Sequence, residues 1–217
     1  MLVKGSKKYP KPAQFEEFLQ RNGGSWNAFT TMTTTNYHFD IANQGFDEGL
    51  DRFSQFFISP VFAKEATSKE IKSIHHQFKV ALNNDFWHHT NLYLSLSNVE
   101  SPINKFIFGN KAGLSKPEAY KAMTDFYKEF YSAELMTLCV SSNKPIAELE
   151  KKVTEAFKPM PFNQVLVPDF NNREVYKDPF GPDQCNKIIK HVSIREIDEL
   201  KIVWNIPYFG NDVNRFN

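Results

Sequence analysis

The sequence predicts an α+β fold, with helices packed on a largely antiparallel sheet. Three observations predict it. Apolar residues recur at helical spacing in several segments. Residues 25–42 read as extended, with polar and apolar side chains alternating. Strands and helices follow one another in mixed order along the chain.

Residues 12–22 read as a helix. Pro12 suits its first turn, Phe15, Phe18 and Leu19 share a face, and Gly23-Gly24 ends it. In the extended stretch, Tyr37, Phe39 and Ile41 alternate with Asn36, His38 and Asp40, as a half-buried strand requires. The Thr-rich segment from Thr30 to Thr35 fits a strand and turn between two antiparallel runs. Phe46, Leu50, Phe53 and Phe57 are spaced as one helical face, and Pro60 follows its end.

A longer helical pattern starts near Thr67, where Thr67 and Glu70 have capping-box spacing ahead of Ile71, Ile74, Phe78 and Leu82. Ser115 and Glu118 repeat that spacing before Tyr120, Met123, Tyr127 and Phe130. Leu135 to Val140 reads as a short apolar strand, and Pro145 then opens a helix carrying Ile146, Leu149, Val153 and Phe157. Residues 158–183 lose periodicity and hold five prolines, which reads as a linker. Beyond it, Lys187 to Val192 and Lys201 to Ile206 look like strands of a second unit.

The 217 residues suffice for one large domain, or one domain plus part of another. Hydrophobic residues make up 41% and 21 residues are Phe, so an aromatic-rich core is expected. The net charge of +1 comes from interspersed charges with no basic stripe, which argues against nucleic acid and anionic membranes as partners. No apolar run reaches the roughly 18 residues of a membrane helix. Cys139 sits in an apolar run and reads as a buried free thiol; with only Cys185 beside it, no disulfide framework arises. A reducing, cytoplasmic compartment is the reading that follows, and targeting signals would precede Met1.

The six histidines contain no pair at the i, i+4 spacing that sets two imidazoles around one metal. On a continuous helix His75 and His89 would share a face about 21 Å apart, far beyond the reach of one zinc ion. Solvated or hydrogen-bonded histidines are the plain reading. Glu70 and Gln77 lie two turns apart on one helical face; their plain readings are a capping-box member and a surface amide. No nucleophile elbow, dinucleotide fingerprint or P-loop is present. From the residues alone, the chain is expected to be an α+β domain with a truncated neighbour and no self-sufficient active site.

An ordered set of segments runs along the chain: Gly5 to Pro10 (GSKKYP), Gly24 to Thr30 (GSWNAFT), Asn36 to Phe39 (NYHF), Leu50 to Phe53 (LDRF), Glu70-Ile71 through Asp85-Phe86-Trp87, Asn104 to Phe106 with Gly109-Asn110, and Phe130 to Met136 (FYSAELM). Over almost the full length this set resembles the insulinase/pitrilysin (inverzincin) family of zinc metallopeptidases. The resemblance implies a fold of repeated α+β domains paired into two halves around a chamber. It puts an N-terminal peptidase-like domain at residues 1–170 and the start of a second, similar domain at 171–217. It implies degradation of peptides, with a zinc ion held by two His and a downstream Glu, and the motif Glu as general base.

On this resemblance the H-x-x-E-H motif lies immediately before Met1, so the chain is expected to be truncated just after it and to lack the first strands of the family's sheet. An exposed edge and self-association are then expected. Gln77 falls on the downstream zinc Glu, and a neutral amide is a poor zinc ligand. Glu70 matches a second Glu that supports the site. Zinc, a cofactor of the family, is therefore expected to be absent from this chain. Asn27, Ala28 and Phe29 match an edge strand that pairs with extended peptide substrates. Phe29 and Trp87, with Val3, match the pocket beside the scissile bond; core packing is the plain reading of the two aromatics. The expected partners are extended peptides and the remaining domains or second half of the family, on the same chain or another. The isolated chain is expected to be inactive. The alternatives are a non-catalytic family member acting as a peptide-binding or partner subunit, and a purely structural assembly domain.

Overall fold

The computed structural model describes residues 2–31, 33–105, 107–166, 179–195 and 198–204. They fall into two compact units, residues 1–78 with 108–169 and residues 79–107 with 170–217. The domain boundary expected between residues 170 and 171 lies outside the described residues.

In the first unit, helix α1 (Gln14–Arg21) buries Phe15 and Leu19. Its end is closed by a Schellman motif. The N–H of Gly24 donates to the Leu19 carbonyl at 2.8 Å, and that of Gly23 to Gln20 at 3.3 Å. Gly23 takes φ +66°, the left-handed region that glycine enters without steric cost. A Cβ on Gly24 would sit 2.2 Å from the Asp40 carbonyl, so the chain can pass here only as glycine.

Strands β1 (Ser25–Thr30) and β2 (Thr35–Asp40) follow as an antiparallel pair, in the register Asn27 with His38 and Ala28 with Tyr37. This is the only sheet among the described residues. Helix α2 (Phe46–Ile58) buries Phe46, Leu50, Phe53, Phe56 and Phe57. Helix α3 (Lys64–Leu82) is followed by α4 (Asp85–Ser95), α5 (Lys111–Leu114), α6 (Pro117–Phe130) and α7 (Ile146–Phe157).

The core joins Leu2, Phe15, Leu19, Phe53, Phe56 and Phe57, with Tyr37, Phe39, Tyr127, Tyr131 and Phe157 packed against it. The rings meet edge to face, Phe15 with Phe56 at 5.1 Å and Tyr37 with Phe57 at 5.6 Å, the arrangement that their quadrupoles favour. Helices and hairpin thus make the α+β class expected from the apolar spacing.

Several details differ from the sequence reading. Helix α3 begins at Lys64, so Thr67 lies inside it; its hydroxyl donates to the Ala63 carbonyl at 2.9 Å rather than capping. Pro117 takes the first turn of α6 in place of a Ser115 capping box, because its fixed φ suits that position. Residues 136–140 are irregular and 187–192 and 201–204 carry no strand, since an apolar run becomes a strand only with a hydrogen-bonding partner; the end of the second run, Asn205 and Ile206, lies outside the described residues. Cys139, on that irregular segment, is exposed rather than buried.

In the second unit the helical pattern breaks at Asn83-Asn84. The Asn84 side chain accepts the Phe86 N–H at 3.0 Å and starts α4 afresh, so His75 and His89 are not on one helix. Asp85 accepts the backbone N–H groups of Ile194 at 2.7 Å and Arg195 at 3.2 Å. The Ile194 bond foremost holds its carboxyl below the ordinary range. No described helix is long and apolar enough to cross a membrane.

Candidate functional site

The hairpin fixes which backbone groups of β1 face outward. Thr31 N–H donates to the Thr34 carbonyl at 2.8 Å, so this pair is hydrogen-bonded. Bonded and non-bonded pairs alternate along an antiparallel ladder. Phe29–Asn36, Asn27–His38 and Ser25–Asp40 are then the bonded pairs. The N–H and C=O groups of Trp26, Ala28 and Thr30 point away from β2, along an edge with no paired strand among the described residues.

Side chains sort by the same pleat. Trp26 and Ala28 share the half-buried face with Tyr37 and Phe39. Asn27 and Phe29 project from the exposed face, where Phe29 is 55% exposed and its ring lies 6.4 Å from that of His38. The His38 Nδ1 is 2.8 Å from the Asn36 Oδ1. The outward N–H of Ala28 donates to the Asn27 Oδ1 at 2.8 Å.

Beside the start of β1 is a cleft of about 130 Å³, lined by Val3, Lys4, Phe15, Glu16 and Trp26 among others. Val3 and Lys4 belong to a short 3-10 turn, Leu2–Lys4, whose Leu2 is buried in the core. The segment after it is tied to α2. Lys8 Nζ lies 2.7 and 2.9 Å from the two Asp51 oxygens, and the Tyr9 hydroxyl donates to the same carboxylate. Burial alone would raise the Asp51 carboxyl, but the hydrogen bonds from Lys8 and Tyr9 outweigh it and hold it below its ordinary value. The Arg52 guanidinium lies 4.3 Å from the Tyr9 ring centre and 4.5 Å from that of Phe18.

Of the residues singled out in the sequence, Val3 lines this cleft and Phe29 does not. Asn27, Ala28 and Phe29 lie together on β1. Trp87 belongs to the second unit, half-buried on α4 with its ring 5.0 Å from Phe86. Glu70 and Gln77 lie on α3 within the first unit. Glu70 is half-buried and ion-paired, with Lys4 Nζ 3.4 Å from its Oε2; Gln77 is exposed.

Gln77, the residue expected at the ligand position, is a neutral amide and a poor zinc donor, while Glu70, expected only to support the site, has a cationic partner in Lys4. Sequence reasoning did not find the Lys4–Glu70 pair. Nothing in the spacing of residues 66 positions apart signals it.

Two family models match the chain: Insulinase (Peptidase family M16) over residues 1–100 and Peptidase M16 inactive domain over residues 119–215. The chain is 35% identical over 213 residues to nardilysin of Rattus norvegicus, a match covering 95% of this chain and 18% of that protein. It is 34% identical over 214 residues to the A-factor-processing enzyme of Saccharomyces cerevisiae, covering 95% of this chain and 20% of that protein. A crystal structure of pitrilysin superposes with a TM-score of 0.73 at 29% identity, over 78% of this chain and 18% of that chain. The chain thus spans about a fifth of the length of the relatives it matches.

Proposed function

Because this chain belongs to the insulinase family of peptidases, family M16, we propose that it is the peptide-holding part of such a peptidase. An extended peptide pairs with the outer edge of β1 and is not cleaved by this chain on its own. The observation that carries this reading is the outward direction of the Trp26, Ala28 and Thr30 backbone groups. A peptide laid antiparallel or parallel along them gains main-chain hydrogen bonds, which give affinity with little dependence on its sequence. Val3 and Trp26, at the cleft beside the strand's start, offer a place for one of its side chains, and the exposed Phe29 offers an apolar contact. Further domains of the family, on the same chain or a partner, would close the peptide in.

Cleavage needs more than this chain's donors supply. Glu70 is held by Lys4, and the Gln77 amide carries no charge with which to hold a metal or take up a proton. The same two residues favour a second reading, in which the natural protein is a non-catalytic member of the family. The test uses the 217-residue chain, a fluorescently labelled extended peptide and an internally quenched version of it. Saturable binding without cleavage, unchanged by zinc or by chelator, supports the proposal. Zinc-dependent cleavage overturns the non-catalytic part of it, and no binding at any concentration overturns the whole.

A further inference from the structure

We propose that the Asn27 side chain is a displaceable plug on the peptide-binding edge of β1. This rests on the reading of that edge given above and adds to it a residue that sets its affinity. Ala28 is the middle of the three residues whose backbone groups face outward, so its N–H is the central donor that an incoming strand has to reach. That donor is already taken. It bonds to the Oδ1 of the preceding Asn27 at 2.8 Å, within the strand itself. Asn27 is exposed and projects from the solvent face, so its amide can swing away without disturbing the core.

The physical logic is competition for one donor. An edge strand with bare N–H groups pairs with any extended chain, including another copy of itself, and proteins blunt such edges. Asn is suited to a reversible plug. Its short side chain bonds nearby backbone and gives it up again at low cost, because a neutral hydrogen bond exchanged for another is nearly balanced. A peptide that brings its own carbonyl to Ala28 N–H recovers the bond that Asn27 surrenders, whereas a single apolar contact at the same place does not. The plug therefore selects for ligands that pair by their backbone.

The experiment measures the affinity of a rhodamine-labelled, uncharged peptide of alternating Val and Thr by anisotropy. It compares the intact chain with Asn27→Ala and Asn27→Asp. Asn27→Ala removes the competitor and is expected to bind about three- to tenfold tighter, the worth of one neutral hydrogen bond. Asn27→Asp supplies a charged acceptor, a stronger plug. It is expected to bind more weakly at neutral pH and to regain affinity as the pH falls through the ordinary carboxylate range. Far-UV circular dichroism checks that both variants keep the fold.

Equal or weaker binding by Asn27→Ala, with binding by the intact chain intact, overturns the plug and leaves the edge reading standing. Asn27→Asp binding that does not change with pH also overturns it. No binding by the intact chain or by either variant overturns the edge reading itself.

Discussion

The hydroxyls of Tyr37 and Tyr131, 94 residues apart in sequence, meet at 2.6 Å inside the first unit. The bond joins β2 to the C-terminal end of α6, so the inner face of the hairpin is anchored by a polar link as well as by apolar packing. Burial foremost pushes both phenols above their ordinary 10.0. Burial likewise pushes Tyr127, whose hydroxyl donates to the Phe57 carbonyl at 2.7 Å, up to about 12.

Raised phenol values fix the sign of an alkaline transition. The neutral forms are favoured in the fold, so their stability is fully present below pH 10 and is lost as the pH rises beyond it. Urea unfolding is expected to show a midpoint that falls steeply above pH 10. Tyr37→Phe, which leaves the Tyr131 hydroxyl without this partner, is expected to cost about 1 kcal/mol at pH 7, and the Tyr37→Phe/Tyr131→Phe double variant little more. Additive losses in the double variant would contradict a direct bond.

Asp51 gives the opposite sign. Its carboxyl sits below its ordinary 3.8, so its contribution is present above that value and lost as the pH falls through the folded value. The group is partly solvated, so Asp51→Asn is expected to cost no more than about 1 kcal/mol at pH 7. The gap between variant and parent should close as acid titration passes below pH 3.8. A gap that stays constant in acid would show that packing, not charge, is what Asp51 supplies.

Phe56 is 2% exposed at the centre of the aromatic cluster. Its replacement in Phe56→Ala leaves a cavity ringed by other rings and is expected to cost about 3–5 kcal/mol. Phe29→Ala, at a 55% exposed position, is expected to move stability by less than about 0.5 kcal/mol while weakening peptide binding. Guanidinium unfolding of both variants separates the two outcomes. A large stability loss for Phe29→Ala would place that ring in the core rather than at a ligand.

Gly23→Ala tests the turn that launches β1. An L side chain at φ +66° is strained, so a loss of about 1–2 kcal/mol is expected in thermal unfolding, whatever space surrounds it. A neutral outcome would mean that the end of α1 adjusts without the left-handed residue.

The sequence was most informative where local pattern and packing coincide. Phe46, Leu50, Phe53 and Phe57 share a helical face, and α2 buries all four. The alternation around Tyr37 and Phe39 became β2 because Trp26 and Ala28 sit opposite on the same face. Where the pattern depends on a partner, it misled. Leu135 to Val140 has strand composition, yet residues 136–140 find no ladder. Helix α4 has no apolar stripe to betray it: Phe86, Trp87, His88, His89 and Tyr93 fall around its circumference, and none of its residues is buried. The family segments led to β1, Glu70 and Gln77. The Lys4–Glu70 ion pair and the bond from Ala28 N–H to Asn27 have no local pattern to announce them, since both depend on how the chain is folded.

The contact of Phe57 with Phe157, 6.3 Å between ring centres, sets a timetable for the ribosome. Roughly 100 residues separate the two rings, which at ordinary elongation rates is about 5–20 s of translation. During that interval the sticky flank of α2 has emerged and its cover, α7, has not been made. A nascent chain with this arrangement leaves that flank uncovered until α7 is made, and slow codons between the two helices would lengthen its exposure.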